Sequence, residues 1–141
     1  MKTLLLGDVC PSVITAELFK NKEVDTLFTD VTKIMSESEF TFVNLECALT
    51  ETDGKIKKFG PHLKAPAETA EILKELGVTV CGLSNNHIFD YGIDGAVDTM
   101  KELDKVGLDY TGFGENYNDS RNSNFGINCE LKVRSFCKFI K

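Results

Sequence analysis

The stretch that decides the fold runs Val78-Thr79-Val80-Cys81-Gly82-Leu83-Ser84-Asn85-Asn86-His87-Ile88-Phe89-Asp90-Tyr91-Gly92. Its first six residues have the length and β-branched content of a strand buried on both faces. A cluster of ligand-type side chains follows at the C-terminal end of that strand. Beyond it, Ile93, Ala96, Val97, Met100, Leu103 and Val106 recur at helical spacing, and Gly107 is placed to stop the helix. Strand, polar turn and helix in that order is the arrangement on which α/β proteins build sites.

Working outward, the same alternation extends in both directions. Lys2 to Leu6 reads as a first buried strand, with Gly7-Asp8 as the turn leaving it. Val13 to Phe19 and Val24 to Met35 carry apolar residues at three- and four-residue steps, which predicts helix. A second strand, Phe40 to Val43, ends in Asn44-Leu45-Glu46. Cys47 to Pro66 has no clear period and reads as a long loop with a short hairpin near Asp53-Gly54; loops of this length in compact domains are usually functional. Pro66 suits the first turn of a helix over Ala67 to Leu76, closed by Gly77, and Leu108 to Thr111 gives a fourth strand. The fold class is therefore α/β, with a largely parallel sheet and flanking helices. Residues 1–118 form the patterned portion. Residues 119–141 form a divergent basic tail, in which Cys129 to Ile140 has the alternation of one further strand.

In a parallel sheet the residues just past the strand ends collect on one rim. Here that rim receives Asp8 from the first strand, Asn44 and Glu46 from the second, and Asn85, Asn86, His87 and Asp90 from the third. Carboxylates with amide oxygens and one imidazole suit a hard or borderline divalent ion, Mn²⁺, Mg²⁺ or Zn²⁺. Each residue also has a purely local reading: Asp8 as a turn cap, Asn44 and Asn85 as turn formers, Glu46 as a solvated carboxylate, His87 as a hydrogen-bonded structural histidine. For Asp90 the local reading, capping the helix that follows, is the expected one. Recurrence at three strand ends is what favours a site.

Composition narrows the function classes. The 141 residues carry a net charge of −6, unevenly: residues 1–115 hold 11 Lys/Arg against 20 Asp/Glu, and residues 116–141 hold 5 against 2. An acidic body argues against nucleic acid as partner. Five cysteines, at 10, 47, 81, 129 and 137, show no Cys-x-x-Cys pair and cannot all pair within one chain, which predicts free thiols in the cytoplasm. No membrane segment or targeting signal is expected. Ser84 and His87 lack a Gly-x-Ser-x-Gly elbow, Gly112-x-Gly114 is no dinucleotide fingerprint, and no Walker-type Gly-Lys-Ser/Thr occurs. Cys10 or Cys47 with His87 as a nucleophilic pair is a minor alternative.

Gly7-Asp8, Asn44-Leu45-Glu46, Phe59-Gly60-Pro61, Lys64-Ala65-Pro66, Ser84-Asn85-Asn86-His87 and Asp90-Tyr91-Gly92, continued by Gly112-Phe113-Gly114-Glu115-Asn116, resemble bacterial capsule-synthesis proteins of the CapA type, also called poly-gamma-glutamate synthesis proteins. The resemblance implies the first half of a calcineurin-like metallophosphatase sandwich. It makes Asp8, Glu46, Asn86 and His87 metal-site positions, His87 and Asn86 catalytic, and Asn44, Asn85 and Asp90 neighbours. The implied cofactor is Mn or Zn, the implied chemistry metal-dependent phosphoester hydrolysis, and the implied ligand an anionic or phosphate-containing small molecule or polymer. Family members bring further histidines from a second half, whereas this chain has His62 and His87 alone. The expectation is thus a partial site, completed by missing residues, another chain or a homo-oligomer. A non-catalytic module that binds a ligand or partner on the same rim is the rival.

Overall fold

The computed structural model describes residues 2–114; the tail over 119–141 and its expected strand lie outside the described residues. Strands β1 (Thr3–Val9), β2 (Phe40–Leu45), β5 (Val80–Gly82) and β6 (Asp109–Thr111) form one sheet in the order β1-β2-β5-β6, every neighbour parallel. Helices α1 (Val13–Lys20), α2 (Val24–Phe28) and α3 (Val31–Ser36) join β1 to β2, α4 (Glu68–Glu75) precedes β5, and α5 (Gly92–Val106) joins β5 to β6. Strands taken in sequential order with right-handed crossovers put their helices on one face. Accordingly α1 packs on α4 and α4 on α5. Thr41, Val43 and Leu45 of β2 are fully buried, while alternate residues Phe42 and Asn44 are only half-buried.

Val80 and Cys81 are wholly buried, as the β-branched run predicts. Burial of the Val80 side chain contributes roughly 1.5–3 kcal/mol. Gly107, with φ of 65°, ends α5 in the left-handed region, where a glycine costs least.

Four expectations need correction. The first strand is not buried: β1 lies at the sheet edge, and Leu5 is 67% exposed. Nor does it end at Leu6. A register shift between Leu5 and Asp8 lets pairing resume at Asp8↔Asn44 and Val9↔Leu45, so both polar residues are strand residues in register and not turn formers. The predicted helix over Val24–Met35 is two short helices broken at Thr29-Asp30, residues with weak helix propensity. The loop over Cys47–Pro66 has no hairpin at Asp53-Gly54. Its ends, β3 (Ala48–Leu49) and β4 (Lys64–Ala65), pair in parallel, and Thr99 of α5 pins them by accepting the Leu49 N–H at 2.9 Å and donating to the Gly95 carbonyl at 2.8 Å.

Candidate functional site

The rim is built from three parallel strand ends in one row, Asp8↔Asn44 and Asn44↔Gly82. The Asn44 amide donates to Asp8 Oδ1 at 2.7 Å, and the Asn85 amide donates to Asn44 Oδ1 at 3.3 Å and to the Leu45 carbonyl at 2.9 Å. One amide chain therefore crosses β1, β2 and the turn after β5. The Asn85 side-chain oxygen accepts the backbone N–H groups of His87 at 3.0 Å and Ile88 at 3.1 Å, which folds the turn and aims His87. Asn85 is both the turn former and a member of the site network.

Gly112 makes that turn fit. Its φ is +94°, and a Cβ there would come within 2.6 Å of the Ser84 Cβ and 2.8 Å of the Ser84 backbone nitrogen. Only a glycine lets the chain after β6 pass so close beneath the site turn.

The carboxyl groups of Asp8 and Glu46 lie against each other, and their titrations are linked. The Asn44 hydrogen bond and the Glu46 contact lower Asp8 below the usual range, whereas the Asp8 contact and partial burial raise Glu46. His87 lies near enough to Glu46 to oppose that rise. Two acid groups held together at a strand end are a donor pair suited to a divalent cation, which would relieve their mutual repulsion.

At the other end, His87 Nδ1 lies 2.8 Å from Asp90 Oδ2, leaving Nε2 as the nitrogen without a hydrogen-bond partner among the described residues. Asp90 is completely buried. Its Oδ1 pairs with the Lys58 ammonium, and its Oδ2 also accepts the Leu63 N–H at 2.8 Å. Burial pushes the Asp90 carboxyl up, but hydrogen bonds from Lys58, His87 and Leu63 and the Lys58 charge outweigh it and hold the group below the usual value. Asp90 is thus not the cap of the following helix: Tyr91 occupies that position and makes no side-chain cap bond. A carboxylate offered a lysine, an imidazole and a backbone donor in a dry site has stronger partners than a helix terminus.

Asn86 is exposed and its side chain makes no hydrogen bond among the described residues, so it stands apart from the network. His62 braces the long loop, with Nε2 2.7 Å from the Ile56 carbonyl and its ring edge-on to Tyr91. Among the described residues no three His, Cys, Asp or Glu side chains converge closely enough to hold an ion by themselves. An ion on the carboxylate pair would take amide oxygen from Asn44 or Asn86 as well. Cys47 is buried and its thiol raised well above the usual value by its contact with Cys10 and by burial, which disfavours it as a nucleophile. Lys58 and the Leu63 N–H were not legible in the sequence, because they come from the loop without periodicity.

Comparison with known proteins gives one consistent result. The family described as bacterial capsule synthesis protein PGA_cap matches residues 2–134. The chain is 34% identical over 121 residues to the capsule biosynthesis protein CapA of Bacillus anthracis, covering 84% of this chain and 29% of that protein. It is 30% identical over 117 residues to the PGA biosynthesis protein CapA of Bacillus subtilis (strain 168), covering 82% and 31%. To a probable polyglutamine synthesis accessory protein of Mycobacterium tuberculosis it is 31% identical over 87 residues, covering 61% and 23%. The chain thus spans less than a third of the length of these curated relatives.

Proposed function

This chain belongs to the bacterial capsule synthesis protein PGA_cap family, and from that premise we propose that its rim is a divalent-metal site serving phosphoester chemistry in the making or processing of an anionic surface polymer, poly-γ-glutamate, in the cytoplasm. Asp8, Glu46, Asn86 and His87 are the rim residues that would share in holding the ion, Mn²⁺ or Zn²⁺, as a partial set to be completed by further ligands, with Asn44 orienting Asp8. The observation that carries the reading is the Asp8–Glu46 carboxyl pair beside His87. Lewis-acid polarisation of a phosphoryl oxygen and activation of a water are what such an ion supplies when bound.

The chain's own residues do the rest. Asp90 fixes the His87 ring and its tautomer, presenting Nε2 as the nitrogen that binds the ion or passes a proton to a leaving oxygen. Lys58 keeps Asp90 ionised, and Asn85 fixes the backbone on which His87 sits.

The test is calorimetric titration of Mn²⁺ into the purified chain, with Asp8→Ala/His87→Ala as control. Saturable, near-stoichiometric binding lost in the double variant is expected. Equal binding by the variant, or none by the parent, would overturn the reading. The absence of a three-residue ligand cluster among the described residues favours one second reading, a non-catalytic module that binds its ligand or partner on the same rim. Mn²⁺ binding without turnover of a generic phosphate ester would favour that module.

A further inference from the structure

Residues 54–64 carry four lysines, Lys55, Lys57, Lys58 and Lys64, and no Asp or Glu. The remainder of residues 1–115 holds seven lysines against 20 acids, a net charge of −13. Two of the four lysines are used by the fold. Lys58 pairs with buried Asp90, and Lys64 donates to the Thr52 carbonyl and to Asp53 at 3.1 Å each while its ammonium lies 5.1 Å from the centre of the Tyr91 ring.

Lys55 and Lys57 are different. Both are exposed, and neither ammonium has a hydrogen-bond or ion-pair partner among the described residues. Next to them Phe59 is 104% exposed, the most open large apolar side chain among the described residues, and Ile56 is 38% exposed. The segment that shows these groups is nevertheless fixed: the Ile56 N–H donates to the Asp90 carbonyl at 3.1 Å, the His62 ring closes on the Ile56 carbonyl, and the Lys58 ammonium stands 3.3 Å from His87 Nδ1. Two cations without a partner among the described residues and a bare aromatic ring are therefore held on a braced loop whose middle residue touches the site histidine.

Nothing within the described fold uses these three side chains, and their chemistry specifies what would. Lysines spaced along an extended segment match carboxylates repeated along a flexible chain, each ammonium acting as a point charge with rotatable donors. An aromatic face beside them takes short aliphatic spacers between those carboxylates. The surrounding acidic surface disfavours a stiff polyphosphate such as nucleic acid, whose continuous charge would meet it on either side of the loop.

We propose that Lys55, Lys57 and Phe59 form a docking subsite for a polycarboxylate chain, holding it on the approach to His87. This inference rests on the reading that the rim serves an anionic polymer, and it adds the surface that would hold that polymer.

The experiment measures fluorescence anisotropy of labelled poly-γ-glutamate with the full chain, in chelator so that metal binding plays no part. Binding that weakens with added salt, falls on the order of tenfold in Lys55→Glu/Lys57→Glu, and falls less in Phe59→Ala is expected. Equal binding by the charge-reversal variant, or no binding by the parent, would overturn the proposal. Equally tight binding of labelled single-stranded DNA would overturn the polycarboxylate assignment. Should the reversal unfold the chain by circular dichroism, Lys55→Gln/Lys57→Gln replaces it. Mn²⁺ calorimetry on the same variants separates the two readings, since subsite loss leaves metal uptake intact and failure of the rim leaves polymer binding intact.

Discussion

At the His87 end of the rim, the Asp90 carboxylate is fully buried and bonded to a lysine, an imidazole and a backbone N–H, whereas at the Asp8 end an exposed carboxyl group, Asp8, lies against a half-buried one, Glu46. The two ends are built on neighbouring strands of one sheet, yet their electrostatics are opposite. The first is complete without any added charge. The second places like charges together, an arrangement that costs energy unless a cation or proton relieves it. Such a division fits a site whose braced end fixes geometry and whose open end takes a ligand.

The sharpest way to break this contrast is Asp90→Asn. Removing the charge leaves Lys58 beside a dry pocket without its counter-ion, and breaking a buried pair costs about 3 kcal/mol or more. A lower urea midpoint at unchanged slope is the expected result. The pH dependence has a definite sign. Because the folded Asp90 pKa lies below the ordinary 3.8, its contribution is fully present above that value and is lost as pH falls below it, through the lowered folded pKa. Asp90→Asn should erase that part of the acid limb.

Gly112→Ala attacks the same end from beneath. The new methyl would collide with Ser84 backbone atoms at a φ that L-residues rarely adopt, and a loss of about 2–3 kcal/mol is expected. A loss within 0.5 kcal/mol would mean that the site turn yields, and that the braced end is less rigid than its contacts imply. Asn85→Ala should cost about 1–2 kcal/mol, by stranding the His87 and Ile88 N–H groups and the Leu45 carbonyl. Asn85→Asp keeps the acceptor for the His87 and Ile88 N–H groups but loses the donations to Asn44 Oδ1 and the Leu45 carbonyl, so its loss should fall between that of the parent and that of the alanine variant. Both are read from urea unfolding.

How far the sequence reveals this contrast follows from the kind of information each part needs. The β5 run, the α5 period and Gly107 are local signals, and they are where periodicity places them. The rim follows from alternation, since parallel strands bring their ends together whatever lies between. Asp90's partners were hidden because Lys58 and Leu63 approach from a loop whose path is set by long-range contacts, chiefly Ile56 to Asp90 and the β3–β4 pairing. The exposure of Leu5 was hidden for a related reason: an apolar run shows that a strand forms, but a central place in the sheet is a property of the whole topology.

The smallest expected stability effect belongs to the open end, and its smallness is the point. Asp8→Asn removes one of two carboxyl groups in mutual contact, while Asn44 can still donate to the remaining side-chain oxygen. Since Asp8 is exposed and its charge sits against Glu46, the melting temperature should stay level or rise slightly. The same substitution should abolish Mn²⁺ uptake in calorimetry, because an amide supplies no charge to hold a hard cation. Unchanged stability with lost metal would separate the ends cleanly, one maintaining the fold and the other spending fold stability on a ligand. A marked fall in melting temperature would instead make Asp8 a structural partner of Asn44 across the β1–β2 pair, and the contrast between the two ends would collapse.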